Sequence, residues 1–205
     1  MLGPVPVVGQ DDTYPKDRRG RPAEPVKFTI RAEKCPNRRG VEAVLKHFQG
    51  EVKPFEQLLD ACDKGLVQAV WLAASYPRGG GYSLAEPWVN DEQAGRLRKA
   101  KLLVVQDLFA TPASQRADYV LPGTAWAEKE GTFVNHAGLA QPIGRAVHPP
   151  GEGRTEGQVF ADLMGRRGLL HAASVRAELA KAVPAFQGLV EQMPKVGQRL
   201  ALATV

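Results

Sequence analysis

Cysteine is almost missing from this chain: two residues, Cys35 and Cys62, in 205. They stand 27 apart, with no Cys-x-x-Cys spacing, which excludes a disulfide framework and a four-thiolate metal cage. The four histidines, His47, His136, His148 and His171, are scattered and make neither a His-Glu-x-x-His pair nor a facial triad. A metal site built by these residues alone is therefore not expected. No apolar run approaches the ~20 residues of a membrane span. The longest runs, 66–74 and 102–105, are strand-sized. The opening MLGPVPVVGQDD has no basic region and too short an apolar segment for a secretory signal. These absences describe a soluble, cytoplasmic chain without membrane insertion.

What is present is ordinary for a globular protein: 43% hydrophobic and 24% charged residues exclude a wholly disordered chain. The length fits one domain, or one domain with an appendage. The net charge of +5 is concentrated, because Lys16 to Arg39 holds nine Lys or Arg against three Asp or Glu. That segment reads as a surface for an acidic partner. Its poor aromatic content and the lack of any RNA-binding pattern argue against nucleic acid.

Periodicity organises the rest. Pro4 to Val8 reads as a strand with no polar lead-in, which suggests a missing upstream portion. Residues 10–25 read as a polar loop and Val26 to Ile30 as a half-buried strand. Val41, Val44, Leu45 and Phe48, then Phe55, Leu58, Leu59 and Cys62, repeat at helical spacing. Val67 to Ala74 and Leu102 to Gln106 are apolar runs suited to strands buried on both faces, and Tyr119 to Leu121 is a shorter third. Asp91 to Ala100 between them reads as a helix capped by Asn90. Alternation of this kind predicts an α/β fold: a parallel-sheet, Rossmann-like domain of βαβ units over residues 1–153. Residues 154–205 are expected to form a separate C-terminal helical extension. Its stripes are Val159, Phe160, Leu163, Met164 and Val175, Leu179, Val183, Phe186, and its tail from Gly188 reads as an arm.

Local motifs for chemistry are weak. Ser83 in Gly-Tyr-Ser-Leu-Ala is a near miss to a nucleophile elbow, but the preceding strand ends too early. Gly79 to Gly81 fits neither phosphate-loop pattern. Glu128 and Glu130 flank Lys129 in a loop, where a salt-bridged turn is expected rather than an acid–base pair. In an open parallel sheet, ligands collect at the carboxyl ends of strands, around 74–75, 107–109 and 122–123.

A longer pattern is more specific. The stretch VVQDLFATPASQRADYVLPGTAWAEKEGTFVNHAGLAQ, residues 104–141, resembles the molybdopterin oxidoreductase superfamily. The matching positions run from Asp107, Thr111, Asp118 and Pro122 through Glu128, Lys129, Gly131 and Thr132 to Asn135, Gly138 and Gln141. Asn37, Arg39 and Gly40 resemble its Asn-x-Arg-Gly element. Within the superfamily, KFTIRAEKCPNRRGVEAVL is most similar to the large iron–sulfur subunit of bacterial NADH:quinone oxidoreductase, respiratory complex I. The resemblance implies a non-catalytic scaffold domain of that peripheral arm, partnered by its other subunits or by the remainder of its own. The alternative it implies is the cofactor-cleft portion of an active molybdopterin-dependent oxidoreductase, with Ser75, Asp107, Thr111 and Asp118 lining the crevice. A basic adaptor for an acidic partner is the third reading. No catalytic residue is expected. Iron–sulfur clusters and molybdopterin guanine dinucleotide, the superfamily's cofactors, are expected to need segments this chain lacks. Departures from the superfamily pattern support the scaffold: Tyr76 and Leu139 stand where members carry Asn and Arg, and Thr111-Pro112-Ala113-Ser114 replaces Thr-x-Thr-Ala.

Overall fold

A computed structural model describes residues 10–33, 35–49, 53–73, 87, 89–190 and 192–202. The strand expected at 4–8, the Gly79–Gly81 turn, Ser75, Tyr76 and Ser83 lie outside those residues.

The mixed α/β fold expected from periodicity is the fold observed. Strands β3 (Ala69–Ala73), β4 (Leu102–Asp107) and β5 (Tyr119–Pro122) form a parallel sheet in the order β3-β4-β5. Trp71, Val104 and Tyr119 stand in register across it, as do Leu72, Val105 and Val120. Helices α3 (Asp91–Leu97) and α4 (Pro112–Arg116) make the two crossovers. Parallel crossovers are right-handed, so two of them advancing in the same direction put both helices on one face. Helix α2 (Phe55–Asp63) packs on that face too. Leu59 and Cys62 of α2, Ala94 and Leu97 of α3 and Ala113 of α4 close over Val70, Leu72, Leu103 and Val105. The helix caps follow from sequence. Asn90 and Gln93 cap α3 reciprocally, and Thr111 and Ser114 do the same for α4, with Pro112 in the first turn.

Only β4 is buried throughout, apart from its first residue. In β3 buried and accessible residues alternate, and β5 is largely exposed, which corrects the expectation of strands buried on both faces. An apolar run marks a strand, but its coverage depends on which elements arrive on each side.

A second core sits on an antiparallel sheet: β6 (Gly131–Val134), β7 (Leu139–Ile143) and β8 (Gln198–Arg199). Val134 and Ala140 pack with Val183, Phe186, Leu189 and Leu200, beside Val44 of α1 (Arg38–Gln49) and Leu179 of α6 (Ala172–Ala182). The tail read as an arm is therefore a strand of this sheet. Residues from both sides of the 153/154 division share this core. Helix α5 (Glu156–Leu163) buries Ala161 rather than its expected stripe; Phe160, Leu163 and Met164 face outward.

The polar loop expected at 10–25 begins a hairpin of β1 (Asp12–Tyr14) and β2 (Phe28–Ile30), with Tyr14 stacked on Phe28 at 5.1 Å. Residues 11–33 contain six Lys or Arg and five Asp or Glu. Lys16 pairs with Asp12, Arg21 with Asp17 and Arg31 with Asp11, while Arg38 beyond it pairs with Glu33 and Glu42. At least four of the nine cations read from Lys16 to Arg39 are thus ion-paired, two of them by Asp11 and Asp12 just upstream, which lowers the charge left for an adaptor.

Arg96 of α3 reaches Glu56, Asp60 and Asp63 of α2 at 3.1, 2.6 and 2.7 Å, and Lys99 adds a second bond to Asp63 at 2.9 Å. Hydrogen bonds from Lys99 and Arg96 hold the Asp63 carboxyl below its ordinary range. A depressed carboxyl stabilises the fold above its unfolded pKa and loses that contribution as pH falls through the folded value. Acid titration is therefore expected to loosen α2 from α3, and Arg96→Gln to flatten that part of the profile, as read by hydrogen exchange of α2 amides between pH 6 and about pH 3.

Candidate functional site

The candidate crevice residues do not converge as one site. Asp107 and Thr111 lie together at the carboxyl edge of the parallel sheet, both almost wholly buried. Asp107 Oδ1 accepts the Leu108 N–H at 2.7 Å, and Thr111 Oγ1 lies 3.5 Å from its Oδ2. Thr111 Oγ1 also accepts the Ser114 N–H. Asp118 is at the opposite edge. It precedes β5, and in a parallel pair that places it beside the start of β4, where it accepts the Leu103 N–H at 2.8 Å and pairs with Arg98 at 2.9 Å. That corrects its assignment to the crevice; it ties β5 to β4. Ser75 lies outside the described residues. Strand order also runs without reversal, so these strands contain no switch point of the kind that opens a ligand crevice.

Gly123 follows Asp107 closely: a Cβ there would stand 3.1 Å from the Asp107 carbonyl carbon, and the Gly123 N–H bonds the Asp107 oxygen at 2.8 Å. Next to it Thr124 Oγ1 is buried without a partner among the described residues, as is Gln106 Oε1 of β4. Gln106 spends its amide N–H on the Arg154 carbonyl at 3.0 Å. Ala113, where superfamily members carry the second threonine, is buried in the sheet core. Its missing hydroxyl is therefore lost from the core and not from a crevice wall.

The other matched positions do come together. Asn37 Oδ1 accepts the Val134 N–H at 2.7 Å, and Arg39 donates to the His136 carbonyl at 2.9 Å. Gly40 lets Val134 approach, since a Cβ there would lie 2.6 Å from Asn37 Oδ1 and 3.0 Å from Val134 Cγ2. Asn135 Oδ1 accepts from Ala137 and Leu139, shaping a turn that Gly138 completes at φ 75°. Leu139 pairs in register with Arg199 of β8. Two motifs about a hundred positions apart are one clamp holding α1 to the β6–β7 hairpin.

A cavity of about 740 Å³ opens beside that clamp. Asn37 and Gly40, Glu128 and Lys129, Gly131 and Thr132 contribute to its walls, facing α5 and α6. The walls are mainly apolar, with Val41, Val44, Leu179 and Phe186 among them. Sequence reasoning did not find this cavity, because its walls come from five separate stretches of chain. Lys129 pairs with Glu156 of α5 at 2.9 Å, not with Glu128, as expected of a local turn. Glu128 instead accepts the Ala125 N–H, and Glu130 accepts that of Ala172. Gly131 opens β6, and a Cβ there would make ordinary contact with Ile143.

Neither cysteine is held in the thiolate form by its surroundings. Burial raises the Cys35 and Cys62 thiols above their ordinary range. Among the described residues no three His, Cys, Asp or Glu gather as a metal site, and no helix is long and apolar enough to cross a membrane.

The comparisons agree with the clamp. The molybdopterin oxidoreductase family domain matches residues 39–166. The NADPH-Fe(3+) oxidoreductase subunit alpha of Geobacter sulfurreducens is 33% identical over 168 residues, 75% of this chain and 18% of its own length. The F420-dependent formate dehydrogenase 1 subunit alpha of Methanococcus maripaludis is 41% identical over 99 residues, covering 45% of this chain and 15% of itself. Formate dehydrogenase H of Escherichia coli is 28% identical over 195 residues, 91% of this chain and 25% of itself. The chain thus spans a quarter or less of the length of these relatives. They are formate dehydrogenases and an NADPH-Fe(3+) oxidoreductase subunit, and the finer resemblance to a complex I subunit is not what they show. With its two distant motifs locked into a single clamp and more than half its length matched by one domain, the chain belongs to the molybdopterin oxidoreductase family.

Proposed function

We propose that this chain is one wall of the cofactor cleft of a molybdopterin-dependent oxidoreductase, a reading favoured over the complex I scaffold by its formate dehydrogenase relatives. The observation that carries it is the intact clamp between Asn37, Arg39, Gly40 and the Val134–Gly138 turn, beside a cavity lined by six superfamily-matching positions. In this reading the cofactor is held only together with polypeptide beyond this sequence, and the chain alone binds neither molybdenum nor pterin dinucleotide.

The carboxyl edge presents an acceptor, the Thr111 hydroxyl oxygen, that would suit a nucleotide's hydroxyl or amino group. The Leu108 N–H and the Thr111 hydroxyl engage the Asp107 carboxylate, and Thr111 keeps a spare lone pair. Thr111 Oγ1 would thus accept from a ribose or base donor, with Asp107 as the group that orients its hydroxyl beforehand. The bound molybdenum centre supplies the redox chemistry. What the chain contributes is rigid placement and exclusion of water.

The test replaces the matching segment of Escherichia coli formate dehydrogenase H with this chain. The proposal expects a soluble chimaera that retains molybdenum and pterin dinucleotide, and loses both in the Asp107→Ala variant. A folded, monodisperse chimaera without cofactor would return the chain to the scaffold reading.

A further inference from the structure

The cavity beside the clamp is too large to be a packing fault. Protein interiors leave few voids bigger than a water molecule, whereas about 740 Å³ lies within the range of small-molecule pockets. Asp107 and Thr111 do not line it, so it is distinct from the carboxyl edge of the parallel sheet. Its walls are tied to one another. Lys129 bridges to both carboxylate oxygens of Glu156 on α5 at 2.9 Å, and Glu130 accepts the Ala172 N–H of α6 at 2.7 Å. Gln158 of α5 holds the loop leading to α6, donating to the Gly168 carbonyl at 3.2 Å and accepting the Leu170 N–H at 2.8 Å. These ties fix the spacing of α5, α6 and the chain that enters β6.

The two ends of the cavity differ in chemistry. The β6–β7 register pairs Gly131 with Ile143, and continued outward it sets Lys129 opposite Arg145. The two chains stay together there, because the Ala146 and Val147 N–H groups both donate to the Ala127 carbonyl. At the inner end of β6, Val134 packs with Phe186 and Leu189, beside Val44 and Leu179, and all five line the cavity. Lys129 and Val134 are five residues of extended chain apart, about 16 Å. Most charged groups of the lining are engaged. Lys129 is held by Glu156, and Arg154 pairs with Asp162 at 3.2 Å. Glu128 accepts the Ala125 N–H, Glu130 that of Ala172 with His171 Nδ1 at 3.7 Å, and Arg176 donates to the Thr132 hydroxyl at 3.4 Å. Arg145 lines the cavity, is exposed, and has no partner among the described residues. A guanidinium only donates, in a planar fork that matches a carboxylate.

We propose that the cavity binds a long-chain carboxylate of the fatty-acid type. Its apolar chain lies between α1 and α6, against Val44, Leu179 and Phe186, and its carboxylate meets Arg145. The inference goes beyond the cleft-wall reading and stands on the cavity alone.

The test titrates dodecanoate, below its micelle threshold, into the free chain by isothermal calorimetry. The proposal expects one saturable site. Arg145→Gln is expected to weaken it at least tenfold, and Arg167→Gln, which removes an arginine outside the lining, to leave it unchanged. Dodecanol is expected to bind the parent and Arg145→Gln equally. Val175→Trp, which fills the cavity from α6, is expected to abolish binding while the far-ultraviolet circular dichroism of the parent is kept; Val41→Trp replaces it should that variant fail to fold. The absence of a saturable site overturns the proposal. Equal weakening by the two arginine variants also overturns it, because it marks attraction to net charge. Binding that survives a folded tryptophan variant does the same, because it places the ligand elsewhere. None of these readouts involves molybdenum or pterin, so each outcome leaves the cleft-wall reading to its own test.

Discussion

Leu103→Ala is expected to destabilise the chain by about 2–5 kcal/mol, whereas Tyr119→Ala, one strand away, is expected to change it by less than about 0.5 kcal/mol. Leu103 is wholly buried in the central strand, enclosed between α2, α3 and α4. Truncating it removes apolar contact and leaves a cavity that those helices can only partly fill. Tyr119 lies on the other face of the same sheet, mostly in water, and has few packed neighbours to lose. Denaturant unfolding of the two variants measures the contrast. Equal losses would mean that Tyr119 is packed as tightly as Leu103.

Gly40→Ala should be nearly as severe, with a loss of about 1–3 kcal/mol from overpacking before any hydrogen bond is counted. The added methyl would stand 2.6 Å from Asn37 Oδ1, closer than real contacts allow. Either Asn37 swings away from Val134 or α1 retreats from β6. In the first case the Val134 N–H, in a residue that is 2% exposed, loses its acceptor, which adds about 1–3 kcal/mol. Asn37→Ala removes the same acceptor without the clash. It should therefore reproduce only the second part of the loss, and the double variant should fall well short of the sum of the two singles. Thermal melts of the three proteins decide this, and additive losses would show that Asn37 and Gly40 do not act through one contact.

Much of this was legible beforehand in particular residues. Apolar spacing at Phe55, Leu58, Leu59 and Cys62 marked α2 and its buried side, and Leu59 and Cys62 are at zero and one percent exposure. Asn90 marked the start of α3, and the three strands lie where their apolar runs stand. Residues 104–141 marked the family, which rests on many positions and survives a few substitutions. Signals of this kind are local: a turn, a cap or a strand is decided within a few residues.

What the sequence could not reveal was which side of an element another element covers. The stripe of Phe160, Leu163 and Met164 has the spacing of a core helix yet stays largely exposed, although Phe160 meets the Trp71 ring. Asp118 sits close to Asp107 in sequence, but parallel pairing sends it to the far edge of the sheet. The basic run from Lys16 to Arg39 is partly offset, because the hairpin sets Asp11, Asp12 and Asp17 against three of its cations. By itself the sequence determined the elements, their caps and the family, since these depend on short-range sterics and on residue identity. Only the tertiary structure decided the clamp from Asn37 to Val134, the 740 Å³ cavity beside it and the separation of Asp118 from Asp107, since each is made by groups that chain folding alone brings together.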